Sequence, residues 1–202
     1  MLITAVEQSK NKRYRIYGDD TFQFALYKTE MNQFGIKENA EIENKIMQKI
    51  REEIVLKRAK ERALYLLERT PLTVHTLKDK LKQSDYPVIV VDRVVEFLEE
   101  YHYLDDQEYV KMYVKSYANK KNKKQIQYNL YRKGISRELV ENYFAQHEYS
   151  EDACFEKQFF RYIRGKNLQD RTMRQKVFRY FYGKGFSASV INAYLKDERF
   201  VE

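Results

Sequence analysis

A single cysteine in 202 residues, Cys154, leaves no second thiol for an intramolecular disulfide. Set between Ala153 and Phe155 it reads as a core thiol, in a protein kept in a reducing compartment. The three histidines, His75, His102 and His147, stand far apart and match no metal spacing, so with one cysteine a zinc site is not expected. Two prolines argue against long disordered linkers, and six glycines scattered over turns and helix ends build no phosphate loop. No apolar run approaches a membrane span. The opening MLITAVEQSKNKR lacks the charged start and long apolar stretch of a signal peptide, and the expected location is cytoplasmic. No catalytic constellation emerges. The pair Asp105 and Asp106 is better explained as a helix cap, and neither an enzyme, a cofactor nor a metal is expected.

What the chain has in excess is positive charge and aromatic rings. Lys and Arg number 38 against 30 acidic residues, a net charge of +8 with a pI near 9.3, which points to a polyanionic partner. The charge is unevenly placed. Asp92 to Glu108 holds seven acidic residues and one arginine, whereas Lys157 to Lys184 holds nine basic residues and one aspartate. Between Lys111 and Lys133 there are eight Lys or Arg and no acid. That run contains NKKQIQYNLYRKGI, Asn122 to Ile135, which reads as an amphipathic helix with a stop. Ile126 and Leu130 share one face. At about 100° per residue from Ile126, Lys124, Tyr128, Tyr131 and Arg132 fall between roughly 140° and 240° on the other. Gly134 supplies the left-handed residue that ends the helix. Such a face is either merely solvated or a binding surface.

The layout recurs, which favours the second reading. Ile126, Leu130, Gly134 and Ile135 correspond to Val177, Phe181, Gly185 and Phe186 downstream, and to Leu77, Leu81, Asp85 and Tyr86 upstream. Val140 matches Ile191 and Val91, and Tyr143 matches Tyr194 and Val94. Asp85 stands where the other copies have glycine, and aspartate visits the left-handed region more readily than most residues. Three units of about fifty residues, each of three helices, follow from this reading.

Taken in order, Ile3–Val6, Tyr14–Tyr17 and Phe22–Leu26 alternate apolar residues as strands, with Gly18-Asp19-Asp20 as the turn between the last two. A small three-stranded antiparallel sheet packed on a neighbouring helix or a partner is expected. A short helix, 27–34, ends at Gly35. A long helix candidate runs from Glu41 to Arg69, either continuous or bent near Lys57, and Thr70-Pro71 closes it. Thr73 caps the helix carrying Leu77 and Leu81. Val88 to Tyr101 keeps helical spacing. Asp105 with Glu108 reads as a capping box opening the next helix, which packs Tyr109, Val110, Tyr113, Val114 and Tyr117. The third repeat begins near Glu151 with Phe155, Phe159, Phe160 and Ile163, breaks at Gly165, and ends on Val190, Ile191, Tyr194 and Leu195. The expected fold is mainly α: three tandem three-helix repeats in an elongated curved array, preceded by the sheet and the long helix. The expected segments are 1–40 (β-rich), 41–104 (long helix and first repeat), 105–149 (second repeat) and 150–202 (third repeat).

On the outer face the third repeat matches Lys124, Tyr128 and Tyr131 with Gln175, Arg179 and Tyr182, flanked by Arg171 and Arg174. The first repeat offers His75, Asp79 and Lys82, which is no basic face. The runs LYLLERTPLTVHTLKDKL, LDD, QIQYNLYRKGISRELVENY and VFRYFYGKGFSASVINAYL, spanning about Ala59 to Leu195, resemble the RecX family of recombination regulators. More loosely, the N-terminal strands and the FGI turn at Phe34 are similar too. Asp85 departs from the glycine usual in the first repeat. The resemblance implies a non-enzymatic monomer that binds RecA filaments on DNA, in the filament groove, and most often restrains ATP hydrolysis, strand exchange and repressor cleavage. Weak direct binding to single- or double-stranded DNA would accompany it. Residues expected to face RecA or DNA are Lys120, Lys121, Lys123, Lys124, Tyr128, Tyr131, Arg132, Lys133, Arg161, Arg164, Arg171, Arg174, Arg179 and Tyr182. Glu96, Glu99 and Glu100, on the acidic helix of the first repeat, are candidates for a protein contact. The competing reading is a stand-alone nucleic-acid-binding repeat protein without a RecA target.

Overall fold

The computed structural model of the chain describes residues 1–9 and 12–197. They gather into two compact units, Met1–Asp106 and Gln107–Glu202.

The first unit opens with β1 (Ile3–Gln8), β2 (Tyr14–Gly18) and β3 (Thr21–Leu26), an antiparallel sheet in that order. Asp19 and Asp20 both take positive φ, 46° and 60°, which is the two-residue turn whose twist matches that of its strands. After α1 (Lys28–Gln33) the long helix begins at Asn44, later than the expected Glu41, because Glu43 is still extended. From there the backbone stays right-handed helical to Arg69, through α2 (Asn44–Lys49), a π-helical stretch (Ile50–Leu56) and α3 (Lys57–Arg69). Lys57, with φ −57° and ψ −51°, marks no break. Within this wider turn Ile50 and Val55, five residues apart, are both buried. Thr70 is extended ahead of Pro71, and Thr73 Oγ1 accepts the Thr76 amide at the start of α4 (Val74–Gln83). α5 (Val88–Glu100) then buries Val91, Val94, Val95 and Leu98. Ile3, Ile16, Phe24 and Leu26 of the sheet share one core with Ile50, Ala59, Leu77, Leu81 and these valines.

Polar contacts lock the sheet onto the first repeat. Asp85, with φ 59°, occupies the left-handed turn position after α4, as the repeat pattern requires. Its carboxylate is also buried and accepts Ser9 Oγ at 2.5 Å and Arg15 Nε at 2.7 Å. Buried Arg13 lies 4.0 Å away and donates to the Ser84 carbonyl. Burial alone would raise the Asp85 carboxyl; the hydrogen bonds from Ser9 and Arg15 and the charges of Arg15 and Arg13 outweigh it and hold the group below its ordinary value. Arg58 pairs with Glu30 across the same boundary.

In the second unit α6 (Asp106–Tyr117), α7 (Lys123–Arg132) and α8 (Arg137–Gln146) enclose one core, of Val110, Ile126, Leu130, Ile135 and Val140 with Tyr109, Tyr113 and Phe144. Asp106, first residue of α6, turns its carboxylate back to accept the Val74 amide at 3.0 Å, at the start of α4. α9 (Asp152–Ile163), α10 (Arg171–Gly183) and α11 (Ala188–Lys196) enclose the other, built from Phe155, Phe159, Val177, Phe181, Phe186 and Ile191. Phe159 takes the inward position, and Phe160 next to it is 42% exposed. Cys154 is buried beside these rings, and burial raises its thiol.

The three repeats end their second helices identically. Gly134 N donates to Tyr131 O and Ile135 N to Leu130 O; Gly185 N to Tyr182 O and Phe186 N to Phe181 O; Asp85 N to Lys82 O and Tyr86 N to Leu81 O. This is the Schellman pattern, and all three turn residues have positive φ.

Candidate nucleic-acid interface

Asn122, wholly buried, starts α7 with a reciprocal cap: its Oδ1 accepts the Gln125 amide while Gln125 Oε1 accepts its own. Its Nδ2 donates to the Lys184 carbonyl at 2.9 Å, tying α7 to the end of α10. Buried Glu151 accepts the backbone amides of Lys123 and Ser187, at the starts of α7 and α11. Tyr149 donates to the carbonyls of Ala118 and Lys121, pinning the basic turn between α6 and α7. Burial first, then Cys154 and Glu151, pushes that phenol up to about 12. The sequence spacing of Asn122 and Gln125 carries a capping signal; nothing in it shows that Glu151 would be buried.

On this frame sits a ridge of rings and cations. Tyr128 is 61% exposed with the Arg132 guanidinium over it, and Tyr182 is 56% exposed, stacked on Phe178. Lys124 Nζ is 5.9 Å from the Tyr182 ring centre and joins the α7 and α10 parts of the ridge. Arg171 and Arg179 are exposed on α10, and Arg164 just beyond α9.

Several residues assigned from sequence sit elsewhere. Tyr131 is half-buried against the core, under Arg137. Lys123 lies over Phe144, Lys133 over Tyr109 and Tyr113, and Arg174 is half-buried. A helical wheel fixes direction around the axis but not how far a neighbouring helix reaches over it. Lys120, Lys121 and Arg161 line a separate cleft together with Lys157 and Lys184, which sequence reasoning left out. The stripe Lys157, Arg161, Arg164 at helical spacing was the available signal. In the first repeat the matching positions carry a carboxylate, with His75 Nε2 3.3 Å from Asp79. Glu96, Glu99 and Glu100 are all exposed on α5.

The charge separates between the units. Met1–Asp106 contains 18 basic and 19 acidic residues, Gln107–Glu202 contains 20 and 11, so the whole excess belongs to the second. In the first unit some cations are paired with carboxylates, as in Lys78–Asp92, Arg93–Glu52 and Arg58–Glu30. Among the described residues Lys124, Arg132, Arg171 and Arg179 have no carboxylate within ion-pair distance. Uncompensated surface cations suit phosphate oxygens or acidic side chains. Among the described residues no cluster of His, Cys, Asp or Glu could hold a metal ion, and no helix is long and apolar enough to cross a membrane.

Comparison with known proteins agrees with the repeat architecture. Models of the first, second and third three-helix domains of RecX match residues 59–98, 105–143 and 153–195. Regulatory protein RecX of Clostridium acetobutylicum is 30% identical, covering 96% of this chain and 95% of that protein. The one from Clostridioides difficile is 31% identical, covering 96% and 94%. A crystal structure of regulatory protein RecX superposes with a TM-score of 0.63 at 27% identity, over 98% of this chain and 99% of that one. RecX from Lactobacillus salivarius shares the fold, with a TM-score of 0.61 at 23% identity over 70% and 95%. The chain belongs to the RecX family.

Proposed function

We propose that this protein regulates homologous recombination and the SOS response in the cytoplasm by binding RecA filaments on DNA and restraining them, without chemistry of its own. The observation that carries the reading is the separation of charge: a second unit with nine more basic than acidic residues, joined to a first unit whose 18 basic and 19 acidic residues nearly cancel. A filament is a polyanion wrapped in protein, and a monomer with one polyanion-facing unit and one near-neutral unit could address both components. Family membership supplies the regulatory role; RecA as target, inhibition as the effect, and the ridge of Lys124, Tyr128, Arg132, Arg171, Arg179 and Tyr182 as the surface are this proposal. Direct DNA binding would be weak and fall with salt, because released counterions drive it.

The experiment is a titration into RecA's DNA-dependent ATPase. Suppression is expected at amounts well below one molecule per RecA, since one molecule in the groove disturbs a whole filament, and excess DNA should not restore activity. Inhibition only near equimolar amounts, reversed by added DNA, would mean a DNA-binding repeat protein without a RecA target.

A further inference from the structure

We propose that the cleft between the α6–α7 turn, α7, α9 and α10 is a separate binding site, one that holds the phosphodiester backbone of single-stranded DNA, distinct from the ridge on the outer faces of α7 and α10. This rests on the reading that the second unit meets DNA, and specifies where and in which form.

The cleft encloses about 850 Å³, and its cations are Lys120, Lys121, Lys157, Arg161 and Lys184, with no carboxylate among the lining residues. Five cations facing one concavity repel one another, and the field they sum to is focused by the low-dielectric walls. In the first unit, by contrast, cations such as Lys78 and Arg58 sit beside carboxylates, at Asp92 and Glu30. The cleft lining holds none. The remaining polar lining includes the amides of Gln125 and Asn129, which lie about 60° and about 100° round α7 from Tyr128.

The walls are preformed. The Tyr149 hydroxyl fixes both ends of the turn that carries Lys120 and Lys121, and Lys121 Nζ rests 3.3 Å from the Tyr113 hydroxyl and 4.2 Å over the Tyr117 ring. The Asn122–Lys184 bond holds the opposite rim. Little ordering cost therefore remains for a ligand to meet.

The chemistry selects phosphate over base. Tyr162 and Tyr180 stack on each other at 3.8 Å between ring centres, and their outer faces are covered by Lys166 at 3.3 Å and Lys184 at 4.6 Å. No ring face is left open for a nucleobase, so readout is of backbone charge and is independent of sequence. Concavity selects the single strand, whose flexible backbone can follow a basic groove. A duplex presents a stiff convex surface, which the exposed ridge can meet and a cleft cannot.

Fluorescence anisotropy of a labelled twelve-nucleotide oligo-dT and a twelve-base-pair duplex, over a salt series, tests this on the full chain. The cleft variant Lys157→Glu with Arg161→Glu alters exposed side chains only. It should weaken oligo-dT binding tenfold or more and flatten the log–log salt slope by roughly 1.4, at about 0.7 for each phosphate no longer neutralised. Duplex binding should change less than threefold. The ridge variant Lys124→Glu with Arg132→Glu should show the reverse preference. Lys157→Gln with Arg161→Gln should give an intermediate loss, which excludes repulsion by the new carboxylates as the sole cause. A loss of oligo-dT affinity below threefold in the cleft variant, or an equal loss in the ridge variant, overturns the assignment. So would displacement of oligo-dT by micromolar tripolyphosphate, which would make the site one for a small phosphorylated ligand. If the protein failed to suppress the RecA ATPase while the cleft results held, the filament reading would fall and the cleft assignment would stand.

Discussion

Asp85 is a residue with two tasks. Glycine at the equivalent Gly134 and Gly185 serves only the left-handed turn, with φ 79° and 93°. Glycine at 85 would serve that turn better, because an aspartate there is mildly strained. The carboxylate must therefore contribute elsewhere, and its partners say where: Ser9, Arg13 and Arg15 of the N-terminal sheet. Asp85→Gly should destabilise the first unit by about 2–3 kcal/mol, since it leaves buried Arg13 without its counter-charge. Much of Arg15 is exposed, so its pair adds little to that figure. The sign with pH follows from the depressed carboxyl. Its contribution is complete above the unfolded aspartate value, near pH 4, and is lost as pH falls through the lower folded value. Urea melts of both forms at pH 7 and pH 3 check this: the gap should narrow at the acid end. Equal stability at pH 7 would return Asp85 to a turn residue alone.

At the scale of elements, the join between α7 and α10 depends on one side chain doing what a cap and a tie would each do. Aspartate is as good an N-cap as asparagine. Asn122→Asp keeps the oxygen that accepts the Gln125 amide, and replaces the Nδ2 donor with an oxygen facing the Lys184 carbonyl. A loss of about 2 kcal/mol is expected in thermal melts, although helix propensity and capping are unchanged. If this variant melted at the same temperature as the native protein, the tie would contribute nothing. Elements of this kind mark the limit of what patterns disclose. The core faces were legible because Ile126, Leu130, Val177 and Phe181 recur at helical spacing, and each is fully buried. The turn at Asp85 was legible from its register with two glycines. What spacing could not carry was contact between repeats: Glu151 reaching two helix starts, Tyr149 holding a basic turn, or Tyr131 leaning inward while Tyr128 points out. The π-helical stretch was likewise hidden, since isoleucines at four-residue steps fit an α-helix nearly as well. Of the outer-face residues read from the sequence, Lys124, Tyr128, Arg132, Arg179 and Tyr182 are exposed. The cleft was missed because its cations come from three separate segments, 120–121, 157–161 and 184.

For the whole molecule, the question is what the near-neutral first unit is for. It carries 19 acidic residues, and Glu96, Glu99 and Glu100 stand exposed on α5, away from the buried stripe of Val91, Val94, Val95 and Leu98. Phosphate would be repelled there, so these carboxylates oppose DNA binding wherever they come near it. If α5 meets the protein component of a filament, they would instead be part of the contact. The triple variant Glu96→Gln, Glu99→Gln and Glu100→Gln separates the two roles, because the predicted effects have opposite signs. Neutralising three exposed carboxylates should leave the fold intact and DNA affinity unchanged or, at low salt, up to severalfold tighter through weaker repulsion. Inhibition of the RecA ATPase should weaken in the same protein, by about tenfold in the concentration for half effect if the three charges together contribute roughly 1.4 kcal/mol at a partly exposed interface. Tighter DNA binding accompanied by stronger inhibition would favour simple competition for DNA and remove α5 from the mechanism. Loss of inhibition with DNA binding preserved would assign the two units to the two components of the filament, the second to nucleic acid and the first to protein.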